Sequence, residues 1–124
     1  MKSTFTCLLL ASSFVVAGQT KQDYVRIVDK FVNLYNSRQT DSICTLFPDE
    51  KTTGIRCEWK GSDTDGTYDI YGNIIAHEYY DVDSDNRRMV MLFKLKFSKK
   101  GDVLLKAKLD TNHKFTIFLL EPFR

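Results

Sequence analysis

His77, with Tyr79 two residues on and Tyr68 upstream, is the titratable side chain best suited to acid–base work in this chain. An imidazole changes charge near neutral pH and takes up a proton from a bound molecule, and a tyrosine hydroxyl beside it can serve as the acid. If the turn after residue 82 pairs Tyr79 with Met91, His77 points to the concave side of a sheet beside Phe93. No second carboxylate stands at a spacing that would orient the ring. A strand histidine is more commonly a packed or rim residue, so the expectation is that no catalytic set assembles.

The remaining candidates weaken in the same way. Asp81, Asp83 and Asp85 alternate as in the opening of a calcium loop, but Asn86 replaces the glycine that bends such a loop and Leu92 the glutamate that closes it. A solvated turn is expected there, as at Asp63 and at Asp65-Gly66. His113 sits in a hairpin loop, where histidine is among the side chains that tolerate positive φ, which points to a structural role. Cys44 and Cys57 lack CxxC spacing and a neighbouring histidine, which argues against zinc, so neither metal nor cofactor is expected. Arg56 would lend Cys57 some thiolate character if it were free. Trp59 either stacks on a sugar or plugs the core, the second being usual for a lone tryptophan.

The start of the chain reads as a secretory signal peptide over residues 1–18: Met1-Lys2 is positive, residues 8–16 are apolar, and Val16-Ala17-Gly18 offers small residues for cleavage. The expected location is therefore secreted or periplasmic. Without Cys7, two cysteines remain in an oxidising compartment, and a Cys44–Cys57 disulfide closing about a dozen residues would contribute about 2–3 kcal/mol. Two buried thiols are the alternative. About 105 residues from position 19 onward suffice for one domain with one core. The chain of 124 residues carries 18 Lys and Arg against 16 Asp and Glu, with no arginine-rich tract, so neither nucleic acid nor a membrane is an expected partner.

Positioning these residues requires a helix and several strands. Thr20 and Asp23 read as a helix start, and Tyr24, Ile27, Val28, Phe31, Leu34 and Tyr35 form a single apolar stripe. A short helix from residue 40 or 41 carries Ile43, Leu46 and Phe47 and stops at Pro48. Residues 55–59 read as a short edge strand. Residues 68–71 fit either a helical turn capped by Gly72 or a strand start, and residues 74–82 read as a strand.

Two hairpins then follow. Treating residues 98–102 as a glycine-closed loop pairs Phe97 with Val103, Leu95 with Leu105, Phe93 with Ala107 and Met91 with Leu109. Continuing through the loop at residues 111–113 pairs Leu109 with Phe115, Ala107 with Ile117 and Leu105 with Leu119. This register puts Leu104, Phe118 and Leu120 on the outer face with Lys94 directly opposite Lys106. Such a patch is one that monomers avoid, and it predicts a homodimer or another protein partner.

Phe31-Val32-Asn33-Leu34-Tyr35-Asn36, Leu46-Phe47-Pro48, Tyr71-Gly72-Asn73-Ile74 and the closing hairpin from Leu109 to Phe115 together resemble the nuclear-transport-factor-2-like (cystatin-like) superfamily. Within it they are similar to small exported bacterial domains also found fused to serine hydrolases. The resemblance covers residues 22–122 and implies an α+β fold: a long N-terminal helix on a curved antiparallel sheet of four or five strands, forming a cone. The stretch from residue 51 to 67 is short for the family's third helix, which implies a shallower cone. A small-molecule pocket lined by Tyr24, Val28, Phe31, Tyr68, His77, Tyr79 and Phe93 is expected in its mouth. The expected function is a non-catalytic exported binding or interaction domain, the alternative being a small enzyme with His77 as general base. A cystatin-type inhibitor ranks last, since no Gln-x-Val-x-Gly wedge is present.

Overall fold

Thr20 and Asp23 open the first helix by exchanging bonds: Thr20 Oγ1 accepts from the Asp23 amide and Asp23 Oδ2 from the Thr20 amide, each at 3.1 Å. This reciprocal cap satisfies two amides that a helix start leaves bare. The computed structural model describes residues 20–60, 64–83 and 89–123. The expected leader, Asp63, Asp85 and Asn86 lie outside the described residues. Helix α1 spans Lys21–Asn36 and buries Tyr24, Ile27, Val28, Phe31, Val32 and Tyr35. Leu34, expected in the stripe, is half-buried, and Val32 takes a core position.

Helix α2 (Thr40–Ile43) runs into a 3-10 turn (Cys44–Leu46), and together they bury Ile43 and Leu46 before Pro48. A single turn, α3 (Glu50–Thr53), is capped by Asp49 and ended by Gly54 at φ 74°. The edge strand expected over residues 55–59 is absent. That stretch carries only a turn at residues 58 and 59, and its bonds between side chain and backbone, Ile55 N to Thr53 Oγ1 and Arg56 Nη2 to Lys60 O, stay local. Helix α4 (Thr64–Tyr71) resolves the ambiguity at residues 68–71 in favour of a helix, with Gly72 following at φ 78°.

The strands β1 (Ile74–Asp83), β2 (Val90–Phe97), β3 (Gly101–Leu109) and β4 (Phe115–Pro122) form one open antiparallel sheet in chain order. The fold is α+β, a long helix on a four-stranded antiparallel sheet. Phe93, Leu95, Leu105 and Ala107 are at most 1% exposed beneath α1. Burial of each of the larger side chains contributes on the order of 2 kcal/mol.

The strand register corrects the expected one in three places. Phe97 pairs with Gly101 and Leu95 with Val103, so the first loop is two residues tighter than counted. Gly101, at φ 87°, belongs to the strand rather than the loop. His77 pairs with Leu95 and Tyr79 with Phe93, again two residues from the expected register. Both shifts are even and leave His77 and Tyr79 on the expected face, although β1 is itself irregular between Ile74 and Ala76 and between Tyr79 and Asp81. The third is odd. Leu109 pairs with Phe115 as expected, but Thr116 is an extra residue, so Lys108 pairs with Ile117, Ala107 with Phe118 and Leu105 with Leu120. This bulge turns Phe118 and Leu120 to the helix side and Ile117 and Leu119 outward.

Lys94 accordingly stands opposite Leu104 rather than Lys106. The expected like-charge pair is replaced by Lys94–Asp102 at 3.7 Å and Lys106–Glu121 at 3.3 Å.

The end of α1 is tied to the start of β1 by a polar knot. Tyr35 donates its hydroxyl to Gly72 O at 2.8 Å, and Tyr68 donates to Tyr35 O at 2.7 Å. Asn36 bonds both the amide and the carbonyl of Ile74, each at 2.9 Å. A side chain at Gly72 would bring its Cβ to 2.1 Å from Ser98 Oγ and 3.0 Å from the Lys99 amide, so the close approach and the positive φ together demand glycine.

Two expectations follow. Phe118→Asp places a charge against Phe31, Phe47 and Phe115 and should cost about 2–4 kcal/mol in urea unfolding, whereas Leu119→Asp should change stability by no more than about 0.5 kcal/mol. Burial, with a smaller contribution from Tyr68, pushes the Tyr35 phenol from 10.0 up to about 12. The folded state therefore prefers the neutral phenol, and its stabilising effect is intact below pH 10 and lost as pH rises toward about 12. Tyr24 and Tyr68, also raised by burial, act in the same direction. Unfolding followed across this range should show stability falling, with a shallower fall in Tyr35→Phe.

Candidate functional site

The odd shift in β4 helps to build a cleft of ligand size. With Phe118 turned inward, its ring lies 5.0 Å from Phe31, 5.4 Å from Phe47 and 5.1 Å from Phe115. Beside this cluster opens a cleft of about 500 Å³ between the start of β4 and residues 47–59. Phe47, Trp59, Phe115 and Phe118 supply its rings and Pro48 and Ile55 its aliphatic surface, while Thr53, Thr116, Arg56 and Glu58 add polar groups. Trp59 is half-buried and meets Phe31 and Tyr35 edge-on at 5.8 and 6.0 Å, so its inner side plugs the core while it also lines the cleft.

Cys57 forms part of the cleft wall and is bonded to Cys44, with the two Cα atoms 5.8 Å apart. The disulfide removes the free-thiol alternatives. It also fixes the wall to the turn that follows α2.

The expected pocket residues are placed elsewhere. Tyr24, Val28, Phe31 and Phe93 are at most 4% exposed and are packing residues of the core. Tyr24 also accepts the Leu109 amide at 3.0 Å. Tyr68 is buried and bonded to Tyr35 O, more than a turn along α1 from Asp29. Tyr79 is half-buried, edge-on to Phe93 at 5.7 Å and beneath Lys21 Nζ at 4.3 Å.

His77 does acquire a carboxylate, which sequence spacing could not show: its Nε2 lies 2.6 Å from Asp29 Oδ1 on α1. The side chains are 31% and 52% exposed, so this is a solvated pair between the helix and an edge strand. His113 has the expected positive φ, 61°, and its Nε2 lies 3.8 Å from Asp23 Oδ2. Among the described residues no group of three or more His, Cys, Asp or Glu side chains could hold a metal, and no helix is long and apolar enough to cross a membrane.

On the outer face, Leu104, Lys94 and Lys106 lie where expected, and Ile117 and Leu119 replace Phe118 and Leu120. Phe123 crosses this face, its ring 5.1 Å from Tyr80 and 5.0 Å from Lys94 Nζ. Sequence reading missed Phe47, Ile55 and Phe115 as cleft residues. The signal that could have found them is the cysteine pair, since bonding 57 to 44 brings the residues around 59 over those around 47. No family model, curated protein or solved structure matches the chain.

The exposure of the His77–Asp29 pair limits its energetic weight. A double-mutant cycle of His77→Ala and Asp29→Ala in urea unfolding should give a coupling of about 1 kcal/mol or less.

Proposed function

We propose that the chain is an exported, non-catalytic binding domain of the nuclear-transport-factor-2-like, cystatin-like cone type, which holds a small apolar molecule bearing a ring. The observation that carries this reading is the gathering of four aromatic side chains on one cleft of about 500 Å³. That volume falls within the range of small-ligand sites, which are mostly apolar with a few polar groups to orient the guest. A ring in the ligand would gain about 0.5–1.5 kcal/mol from each well-placed aromatic contact beyond the area it buries.

The leader-like first 18 residues and the disulfide support export. A helix lying across one face of an antiparallel sheet supports the cone assignment. A second reading, general-base catalysis by His77 oriented by Asp29, draws on their 2.6 Å contact. It ranks lower because Tyr68, one of the two tyrosines nominated beside it, is committed to Tyr35 O, the other, Tyr79, packs against Phe93 and Lys21, and His77 is not among the residues lining the aromatic cleft.

The neutral fluorescent probe N-phenyl-1-naphthylamine tests the proposal. Trp59 is the only tryptophan and lines the cleft, so energy transfer from it to the probe reports binding at this place. Saturable one-to-one binding is expected. Ile55→Asp, at a residue 72% exposed and outside the core, should weaken it about tenfold without altering the fold. Absence of saturable transfer, or unchanged affinity in Ile55→Asp, would overturn the cleft as a binding site.

A further inference from the structure

The wall of the cleft and the core of the domain are held by different forces. None of residues 47–60 belongs to the buried core. Beyond Phe47, whose amide donates to Cys44 O at 3.2 Å, the backbone bonds described along this stretch run from Thr52, Thr53, Gly54 and Lys60 to residues 49, 50 and 57. Among the described residues its main ties to the rest of the molecule are the edge contacts of Trp59, the packing and amide bond of Phe47 and the Cys44–Cys57 bond.

The Cys44 end is firm. Ile43 and Leu46 on either side are at most 3% exposed, and Lys114 donates to Thr45 O at 2.5 Å. The Cys57 end, flanked by exposed Arg56 and Glu58, is held by the sulfur bridge and, two residues on, by the edge contacts of Trp59. Residue 57 is separated from its partner by 13 positions, a loop whose opening releases substantial chain entropy.

We infer that the Cys44–Cys57 disulfide is a redox lock on the cleft: closed, it forms the wall that binds ligand, and reduced, it releases residues 54–60 while the helix and sheet remain folded. The inference rests on the cleft being the binding site. The reductant is a dithiol. Its thiolate attacks one sulfur of the bridge to form a mixed disulfide and expel the other as a thiolate. Its second thiol then displaces the mixed disulfide and leaves the reductant as an internal disulfide. Two electrons and two protons pass to the protein, giving two cysteine thiols. Ligand binding is thereby confined to oxidising compartments, and the chain is binding-incompetent while its cysteines are reduced.

The test compares the oxidised chain, the chain reduced with dithiothreitol and alkylated, and the Cys44→Ser, Cys57→Ser double variant. Each is measured by far-UV circular dichroism, acrylamide quenching of Trp59 and titration with N-phenyl-1-naphthylamine. The lock predicts unchanged dichroism, greater quenching of Trp59 and about tenfold weaker probe binding in both thiol-free forms, as expected if the wall is in place about a tenth of the time. Reoxidation of a reduced, unalkylated sample should restore binding. Equal probe affinity in all three forms overturns the lock and leaves the binding site standing. Loss of dichroism on reduction overturns it by making the bridge a staple of the whole fold. An oxidised chain that binds no probe overturns the binding site, and the lock as a control of binding falls with it.

Discussion

Helix α1 is pinned to the sheet at both ends by tyrosine hydroxyls. Tyr24 accepts the Leu109 amide at 3.0 Å, and Tyr35 donates to Gly72 O at 2.8 Å. The two residues are eleven positions apart, about three helical turns, so both leave the same face of the helix. A ridge of apolar side chains could slide along a flat sheet at small cost, but two buried hydrogen bonds to fixed backbone atoms prevent this, because leaving either unmade would cost about 1–3 kcal/mol. The positions of Phe31 and of Asp29 follow from these pins. So do the contacts of α1 with Phe118, Trp59 and His77.

The pin at Leu109 lies beside one of the breaks in the regularity of the sheet. Thr116 interrupts the ladder between β3 and β4, and its hydroxyl donates to Lys108 O at 3.3 Å. A regular ladder would have sent Phe118 to solvent and Leu119 to the core. The bulge reverses them, and an aromatic cluster forms at the sheet edge where a hydrophobic cleft can open. The outer face keeps Leu119, 52% exposed, among lysines paired with Asp102 and Glu121. Lysine stems and ion pairs of this kind protect a sheet face from indiscriminate association.

On the binding function proposed for the cleft, recognition and stability fall to separate parts of the molecule. Helix α1 and the four strands hold most of the buried core, while the cleft borrows one wall from a stretch whose regular structure is the single turn α3. Such a division is common where a rigid scaffold carries a loop that contacts ligand. A bridge tying that loop to a buried turn supplies stiffness that its own hydrogen bonds lack.

The sequence by itself determined the helix, its cap, its apolar stripe, the strands after residue 74, the cysteine pair and the positive φ at His113. Each of these is local, or is a matter of period or of counting. It determined faces better than partners: the two errors of register that were even kept His77, Tyr79, Phe93 and Leu95 on the face expected of them, because strand residues alternate with a period of two. Only the tertiary structure decided β4, where Ile117, Phe118, Leu119 and Leu120 are all apolar and alternation carries no signal. It also decided that His77 meets Asp29 and that Trp59 and Phe47 line one cleft, juxtapositions of residues 48 and 12 positions apart that no spacing rule relates. Faces follow from periodicity along the chain, whereas a one-residue bulge and a cleft depend on which partners the packed core brings opposite one another.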